Sequence, residues 1–145
     1  MIQIRPYTSD DVESLADLMS DLGYPTTVDK MKLRMRHIAE EPNYYTYVAA
    51  IDEKVVGMIG IRSTFYYEED GTATQISALV TKKQYEGQGI GTALIRQAEL
   101  LAIEHGSILL YLTSGAKPEW LRAHEFYKNQ GFEVTGYRFV KRIQT

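Results

Sequence analysis

Three alternate glycines, Gly87, Gly89 and Gly91, stand where a strand-like segment passes into an amphipathic helix. The first backbone N–H groups of a helix have no partner within the helix, and the helix dipole adds partial positive charge there. Glycine lets a ligand approach the backbone closely and adopts positive φ without strain. These residue types in this order predict an anion-binding turn, for which phosphate is the usual ligand.

The spacing of the glycines excludes two common phosphate motifs. A P-loop requires G-x-x-x-x-G-K-[ST], and no lysine follows the glycines at that position. A dinucleotide site requires G-x-G-x-x-G, whereas this chain has G-x-G-x-G followed by Thr92. From the glycines alone, a tight strand–helix turn without a ligand stays an open alternative.

The segments that must position this turn alternate between strand and helix patterns. They predict a mixed α/β chain in the order β-α-α-β-β-β-α-β-α-β. The predicted strands are Ile2–Tyr7, Tyr44–Ile51, Lys54–Tyr67, Gly71–Thr81, Ser107–Thr113 (of the buried kind) and a closing strand or hairpin over Phe132–Ile143. The predicted helices are one capped at Ser9 or Asp10 and stopped at Gly23, one over Val28–Glu40, one after the glycines, and one over Pro118–Gly131.

Length and composition narrow the class of protein. The 145 residues fit one domain, 1–145, without repeats or linkers. A net charge of −3 argues against nucleic acid as the main partner. The absence of cysteine removes disulfides, thiolate catalysis and Cys-bound zinc, and the three histidines show no metal-ligand spacing, so no metal is expected. Without a signal-peptide pattern or a long apolar run, we expect a cytoplasmic protein that does not enter a membrane.

Two stretches together resemble the GNAT superfamily of acetyl-CoA-dependent N-acetyltransferases. They are "VTKKQYEGQGIGTALI", with its motif on Glu86–Gly91, and "RAHEFYKNQGF", with its motif on Ala123–Phe132. The resemblance implies the GNAT acyl-CoA N-acyltransferase fold, in which a mostly antiparallel central sheet is flanked by helices. It also implies that acetyl-CoA is the co-substrate and that its acetyl group passes directly to a primary amine of a small molecule in a ternary complex.

The resemblance assigns roles to individual residues. Backbone groups of Leu79, Val80 and Thr81 would pair with the pantetheine arm, and N–H of Val80 or Thr81 would polarise the thioester carbonyl. Tyr127 would be the general acid that returns a proton to the CoA thiolate; the alternative is a core aromatic on an amphipathic helix. The pyrophosphate would be held by the backbone of Gly87, Gln88, Gly89, Ile90, Gly91 and Thr92.

Glu86 departs from the family pattern, which prefers Gln or Arg at its position. A carboxylate beside a phosphate site is unfavourable unless the side chain points to solvent. Lys82 and Lys83 either supply positive charge to the nucleotide phosphates or are ordinary surface lysines.

The general base is not specified by the sequence. Many relatives carry a glutamate on the strand before the glycines, where this chain has Gln75, Ser77 and Ala78. His37 and His105 are interpreted as surface positions on helices. The remaining candidates for the base are Glu68, Glu69 and Asp70 in the acidic turn, His124, or an ordered water.

The acceptor is also left open. The second half of the chain is most similar to the branch with aminoalkylphosphonate and some aminoglycoside acetyltransferases, and cations for an aminophosphonate could come from Arg62, Arg122, Arg138 and Lys141. The predicted acceptor rim is rich in tyrosine: Tyr24, Tyr44, Tyr45, Tyr66, Tyr67 and Tyr137. Two alternatives to a small-molecule enzyme are a protein or peptide N-acetyltransferase and a catalytically silent acetyl-CoA-binding module. The apolar ending Tyr137–Val140 allows a homodimer.

Overall fold

A computed structural model describes residues 1–114 and 120–143 of the chain. The described residues group into two compact units, Met1–Tyr111 and the part from Leu112 onward, and each is described by itself. No helix among the described residues has both the length and the apolar composition needed to cross a bilayer. That the chain is one domain stays a prediction.

The central feature of the fold is a five-stranded sheet. Its strands run in the spatial order β1-β2-β3-β4-β5, and the first four are antiparallel neighbours. The turn between the second and third strands has positive φ at Asp52 and Glu53, as a tight two-residue hairpin requires. The bounds are β1 Ile2–Pro6, β2 Tyr44–Ile51, β3 Lys54–Phe65, β4 Thr72–Thr81 and β5 Leu110–Leu112. The predicted fold class, a mixed α/β chain with a mostly antiparallel sheet, is confirmed.

The described residues form four α-helices: α1 Val12–Leu22, α2 Val28–Ala39 and α3 Ile90–Glu104 in the first unit, and α4 Leu121–Asn129 in the second. Gly23 ends α1 with φ of 104°, and the Thr27 hydroxyl accepts a hydrogen bond from Lys30 N–H at the start of α2. Gly131 follows α4 with φ of 96°. Pro118, which the sequence places at the start of α4, lies outside the described residues.

The sheet is covered on both faces within the first unit. Side chains of α1 and α2 pack with Val48, Met58 and Val80 on one face. On the other face α3 approaches Gly57, where an added Cβ would lie 3.0 Å from Ile90 Cγ2. The apolar face predicted for α3 is confirmed, because Leu94, Ile95, Ala98, Leu101 and Ala102 are all buried.

Two predicted strands differ from the structure. Residues 132–143 carry no strand, and Tyr137 and Phe139 are each 91% exposed. Their alternating pattern favours a strand, but a strand forms only where a neighbour supplies hydrogen bonds. The predicted buried strand Ser107–Thr113 is also wrong in length and burial: β5 has three half-buried residues, since it is the last strand in the sheet order.

Candidate active site

The glycine turn joins β4 to α3. A short 3-10 turn, Lys83–Tyr85, follows β4, and α3 begins at Ile90. Gly87 and Gly89 have φ of 81° and 85°, which explains why glycine stands at both positions. A Cβ added to either would meet nothing within 4 Å, so the space beside this backbone is open to a ligand.

The start of α3 is fixed by its packing on the sheet. Ile90 is 1% exposed and Leu94 is fully buried. Ala93 N–H donates to the carbonyl of Gly89 at 3.0 Å. Gly57 in β3 permits this close packing, since an added Cβ there would also lie 3.1 Å from the carbonyl oxygen of Val80. The sequence analysis did not predict this role for Gly57. The signal was a glycine inside the apolar strand "VVGMIGI", which indicates that another segment packs closely against the strand backbone.

The end of β4 presents backbone N–H groups away from β3. Lys82 N–H donates to the carbonyl of Val56 at 2.8 Å, and the register pairs Val80 with Met58. Because N–H directions alternate along a strand, Val80 N–H points to β3, whereas Leu79 and Thr81 N–H point to the opposite edge. Of the two N–H groups considered for the thioester carbonyl, the one that points away from β3 is that of Thr81.

A β-bulge precedes this edge. The register of β3 and β4 shifts between Gly60 and Ile61, so Ser77 is the extra residue of β4. Ser77 is exposed, and a Cβ added to Gly60 would lie 3.3 Å from its Oγ. Bulges re-aim side chains and end regular pairing, and they are common beside active sites.

The side chain of Glu86 is exposed, and so is Lys83, whereas Lys82 is half-buried. The exposed position of Glu86 removes the difficulty of a carboxylate pressed against a phosphate site. The turn can therefore bind an anion through its backbone.

Tyr127 lies on α4 in the second unit. Its ring contacts Phe126 and Phe132, with centroids 5.6 Å and 6.0 Å away. The N–H of Phe132 donates to the carbonyl of Tyr127 at 3.0 Å, which closes the end of the helix. Burial raises the pKa of the Tyr127 phenol above its ordinary value. The phenol therefore keeps its proton at neutral pH, as a general acid must.

The acidic turn after β3 contains the carboxylates considered as a base. Glu68, Glu69 and Asp70 are all exposed. Burial, and then the charge of Glu69, raises the pKa of Tyr66. The Tyr66 hydroxyl is buried and makes no hydrogen bond with the part of the chain that the structure describes.

Asp21 is a further carboxylate that sequence reasoning missed. One of its oxygens, Oδ2, is buried and has no hydrogen-bond partner within residues 1–114 and 120–143. The sequence signal for a special role was the position of Asp21 in the last turn of α1, where the helix dipole disfavours negative charge. Asp21 therefore joins the candidates for the base.

The histidines occupy three different environments. His37 is exposed, as predicted, and His124 is half-buried on α4. The prediction that His105 is a surface position is wrong: it is half-buried, its Nδ1 lies 3.0 Å from Ser63 Oγ, and its ring lies 5.2 Å from that of Tyr45. No group of three His, Asp or Glu side chains among the described residues is arranged to hold a metal ion.

A row of three polar side chains crosses the sheet ahead of the bulge. Tyr44, Arg62 and Gln75 lie side by side on β2, β3 and β4. Arg62 donates from Nη1 to the Tyr44 hydroxyl at 3.3 Å and from Nε to the amide oxygen of Gln75. We call these residues the Arg62 row. The sequence suggested Arg62 as one of four cations but did not predict its neighbours.

The chain is similar to known proteins in both sequence and fold. Residues 12–132 match the model of the "Acetyltransferase (GNAT) family". The chain is 29% identical to an aminoalkylphosphonate N-acetyltransferase of Salmonella typhimurium, over 97% of this chain and 91% of that protein. A GNAT family acetyltransferase from Staphylococcus aureus superposes with a TM-score of 0.84 at 23% identity, covering 98% of each chain. An aminoglycoside N-acetyltransferase solved in complex with CoA gives a TM-score of 0.84 at 15% identity, covering 100% of this chain and 96% of that one.

Proposed function

Because the chain belongs to the GNAT family of acetyltransferases and is therefore an acyltransferase, we propose that it transfers the acetyl group of acetyl-CoA to a primary amine of a small molecule. The similarity to an aminoalkylphosphonate N-acetyltransferase makes short aminoalkylphosphonates the first acceptors to test. Acetyl-CoA is the activated acetyl donor, and its thioester supplies the leaving thiolate.

The observation that supports this proposal is a continuous backbone surface running from β4 into α3. Outward N–H groups of Leu79 and Thr81 are followed by the open turn at Gly87 and Gly89 and the first turn of α3. An extended amide-bearing arm can pair with the strand edge. A pyrophosphate can accept hydrogen bonds from the helix N-terminus. These are the two chemical parts of CoA that precede its sulfur.

In the proposed arrangement, six consecutive residues hold the pyrophosphate through backbone N–H groups, and Thr92 adds its hydroxyl. The three residues at the end of β4 position the pantetheine arm, with Val80 in the middle turned toward β3. Ile90 takes part through its backbone alone, since its side chain is in the core. The set comprises Leu79, Val80, Thr81, Gly87, Gln88, Gly89, Ile90, Gly91 and Thr92.

The chemical step is a direct transfer. The neutral amine attacks the acetyl carbonyl carbon, a C–N bond forms, and the C–S bond breaks with its electron pair leaving on sulfur. One of the N–H groups of β4 that point away from β3 can donate to the carbonyl oxygen as negative charge develops there. Tyr127 gives its proton to the thiolate, and the proton lost by the amine goes to the base, which is one of the carboxylates described above, His124 or an ordered water.

Acetyl-CoA turnover, followed as free CoA thiol, tests the proposal against a panel of aminoalkylphosphonates, polyamines, aminoglycosides, amino acids and short peptides. We expect turnover with a small amine, and a product heavier than the amine by one acetyl group in the mass spectrum. Turnover confined to peptides would contradict the small-molecule assignment. Acetyl-CoA binding without turnover across the panel would favour a silent binding module.

A further inference from the structure

The Arg62 row holds its guanidinium from both sides. The strand register places Tyr44 and Gln75 on either side of Arg62, and each accepts a hydrogen bond from it. All three side chains are half-buried. A planar guanidinium fixed at Nε and Nη1 has lost much of its rotamer freedom before any ligand arrives, which lowers the entropic cost of binding one.

The row presents hydrogen-bond donors to a ligand. The hydroxyl oxygen of Tyr44 and the amide oxygen of Gln75 are both engaged by Arg62, so each residue offers its hydrogen atoms instead. The Nη2 group of Arg62 makes no hydrogen bond to any residue that the structure describes. A phenol O–H, an amide NH₂ and a guanidinium edge together favour an acceptor of hydrogen bonds.

Among residues 1–114 and 120–143, no carboxylate forms an ion pair with Arg62. A half-buried cation with neutral neighbours has lost solvation without gaining an opposite charge, and an anionic oxygen group from solution would supply one.

The position of the row relates it to the proposed acetyl site. Met58 and Arg62 share one face of β3, since side chains alternate, and this face carries α1 and α2. If CoA enters from the glycine turn, its arm passes Thr81 before Leu79 and its thioester points toward the bulge at Ser77. Gln75 lies two residues beyond, about 7 Å along the strand, which is the span of a short aminoalkyl chain.

We propose that Arg62, held by Tyr44 and Gln75, binds an anionic oxygen group on the acceptor. The acceptor is then a short amine that carries a phosphonate, phosphate or carboxylate, and Arg62 selects it by charge. This inference rests on the proposed function, because it is the amine of the same molecule that receives the acetyl group. Arg62 is a specificity-determining residue and not a group that moves protons.

The test compares three acceptors of similar length: 3-aminopropylphosphonate, 4-aminobutyrate and n-butylamine. We expect the unaltered protein to show a higher kcat/KM with one or both anionic amines than with n-butylamine. Arg62→Gln should lower kcat/KM for the preferred anionic amine about 10- to 100-fold, mainly through KM, and leave that for n-butylamine unchanged. Arg62→Lys keeps the positive charge but lacks the planar guanidinium, so its kcat/KM for the anionic amine should lie between those of the unaltered protein and Arg62→Gln.

Arg96→Gln is the matched control, because Arg96 lies on α3, which packs on the opposite face of the sheet from Arg62. It should leave all three kcat/KM values unchanged. An acceptor preference that survives Arg62→Gln in a folded protein, or no preference in the unaltered protein, overturns the proposal. If Arg62→Gln does not fold, kcat/KM for the same three acceptors is measured with Arg62→Lys and Tyr44→Phe instead.

A binding measurement separates failure of this proposal from failure of the proposed function. Methylphosphonate is titrated into the protein and into Arg62→Gln, and chemical shifts are followed by NMR. Binding that disappears in the variant supports the anion site even where no amine is acetylated, and then the proposed function alone fails. Turnover of amines without any Arg62-dependent binding or preference leaves the function standing and refutes the anion site.

Discussion

Arg5 binds the buried carboxylate of Asp11 through two hydrogen bonds of 2.8 Å each, from Nη1 to Oδ2 and from Nη2 to Oδ1. Asp11 is 5% exposed and also accepts a hydrogen bond from the backbone N–H of Thr8 at 2.9 Å. The pair ties the end of β1 to the start of α1, and α1 covers the face of the sheet that carries the Arg62 row.

The first prediction concerns the acid stability of this pair. The hydrogen bonds from Arg5 hold the pKa of Asp11 below its ordinary value. Its contribution to folding is therefore present above the unfolded pKa, about 3.9, and is lost as pH falls through the folded pKa. Asp11→Asn should flatten the decline of Tm as pH falls below about 4, and it should lower Tm at pH 7. Asp10→Asn, at an exposed neighbour, is the control; a decline equally steep in the Asp11 variant would contradict the assignment.

The second prediction concerns the packing of α3 on β3. A Cβ at Gly57 would lie 3.0 Å from Ile90 Cγ2 and 3.1 Å from a backbone oxygen, so Gly57→Ala should cost about 1–3 kcal/mol of unfolding free energy. At Gly60 the nearest atom would be the Ser77 Oγ at 3.3 Å, and Gly60→Ala should cost clearly less. Urea unfolding of both variants measures the difference. Equal losses of unfolding free energy in the two variants would show that the contact with α3 is not what excludes a side chain at Gly57.

The third prediction separates the ligand role of the glycine turn from its backbone role. Gly89 and Gly106 both have positive φ and open space around a Cβ, but they flank opposite ends of α3, a 15-residue helix about 22 Å long. Alanine at either position should cost about 1–2 kcal/mol of stability. Only Gly89→Ala should also weaken acetyl-CoA binding, about tenfold or more, measured by calorimetry. Similar affinity in the two variants would argue against a pyrophosphate at this turn.

The fourth prediction concerns the general acid. Tyr127→Phe keeps the ring that contacts Phe126 and Phe132, so the variant should fold normally. We expect kcat to fall about 100-fold or more while acetyl-CoA affinity is kept. Because burial raises the pKa of Tyr127, the unaltered protein should lose kcat only as pH rises above the ordinary pKa of a tyrosine phenol, and the variant should lack that alkaline limb. Tyr47→Phe, on β2 and outside the predicted acceptor rim, is the control, and unchanged turnover in Tyr127→Phe would refute the role.

Much of the fold could be predicted because its signals are local. The apolar spacing from Leu94 to Ala102 specifies the buried face of α3 whatever it packs against. Gly23 and Gly131 end helices at positive φ, which glycine adopts most easily. Gly87 and Gly89 likewise indicate a turn of unusual backbone with space beside it. The family resemblance, now shown by the match over residues 12–132, was carried by two such local stretches.

Features that depend on strand neighbours could not be predicted in this way. Residues 132–143 have a strand-like pattern but no strand, because hydrogen-bonding partners decide whether extended residues form one. His105 meets Ser63, 42 positions earlier in the chain, across the packing of α3 on β3. No periodicity along a single segment specifies such a contact.

The sequence by itself determined the fold class, the helix faces and the glycine turn, since each follows from spacing within one segment. Only the tertiary structure decided which N–H groups of β4 point away from β3, because that depends on the register with β3 and on the bulge at Ser77. It also brought Tyr44, Arg62 and Gln75 together from three strands. A lone arginine in the sequence is one cation among many; held between two neutral side chains that accept its hydrogen bonds, it becomes a candidate anion site.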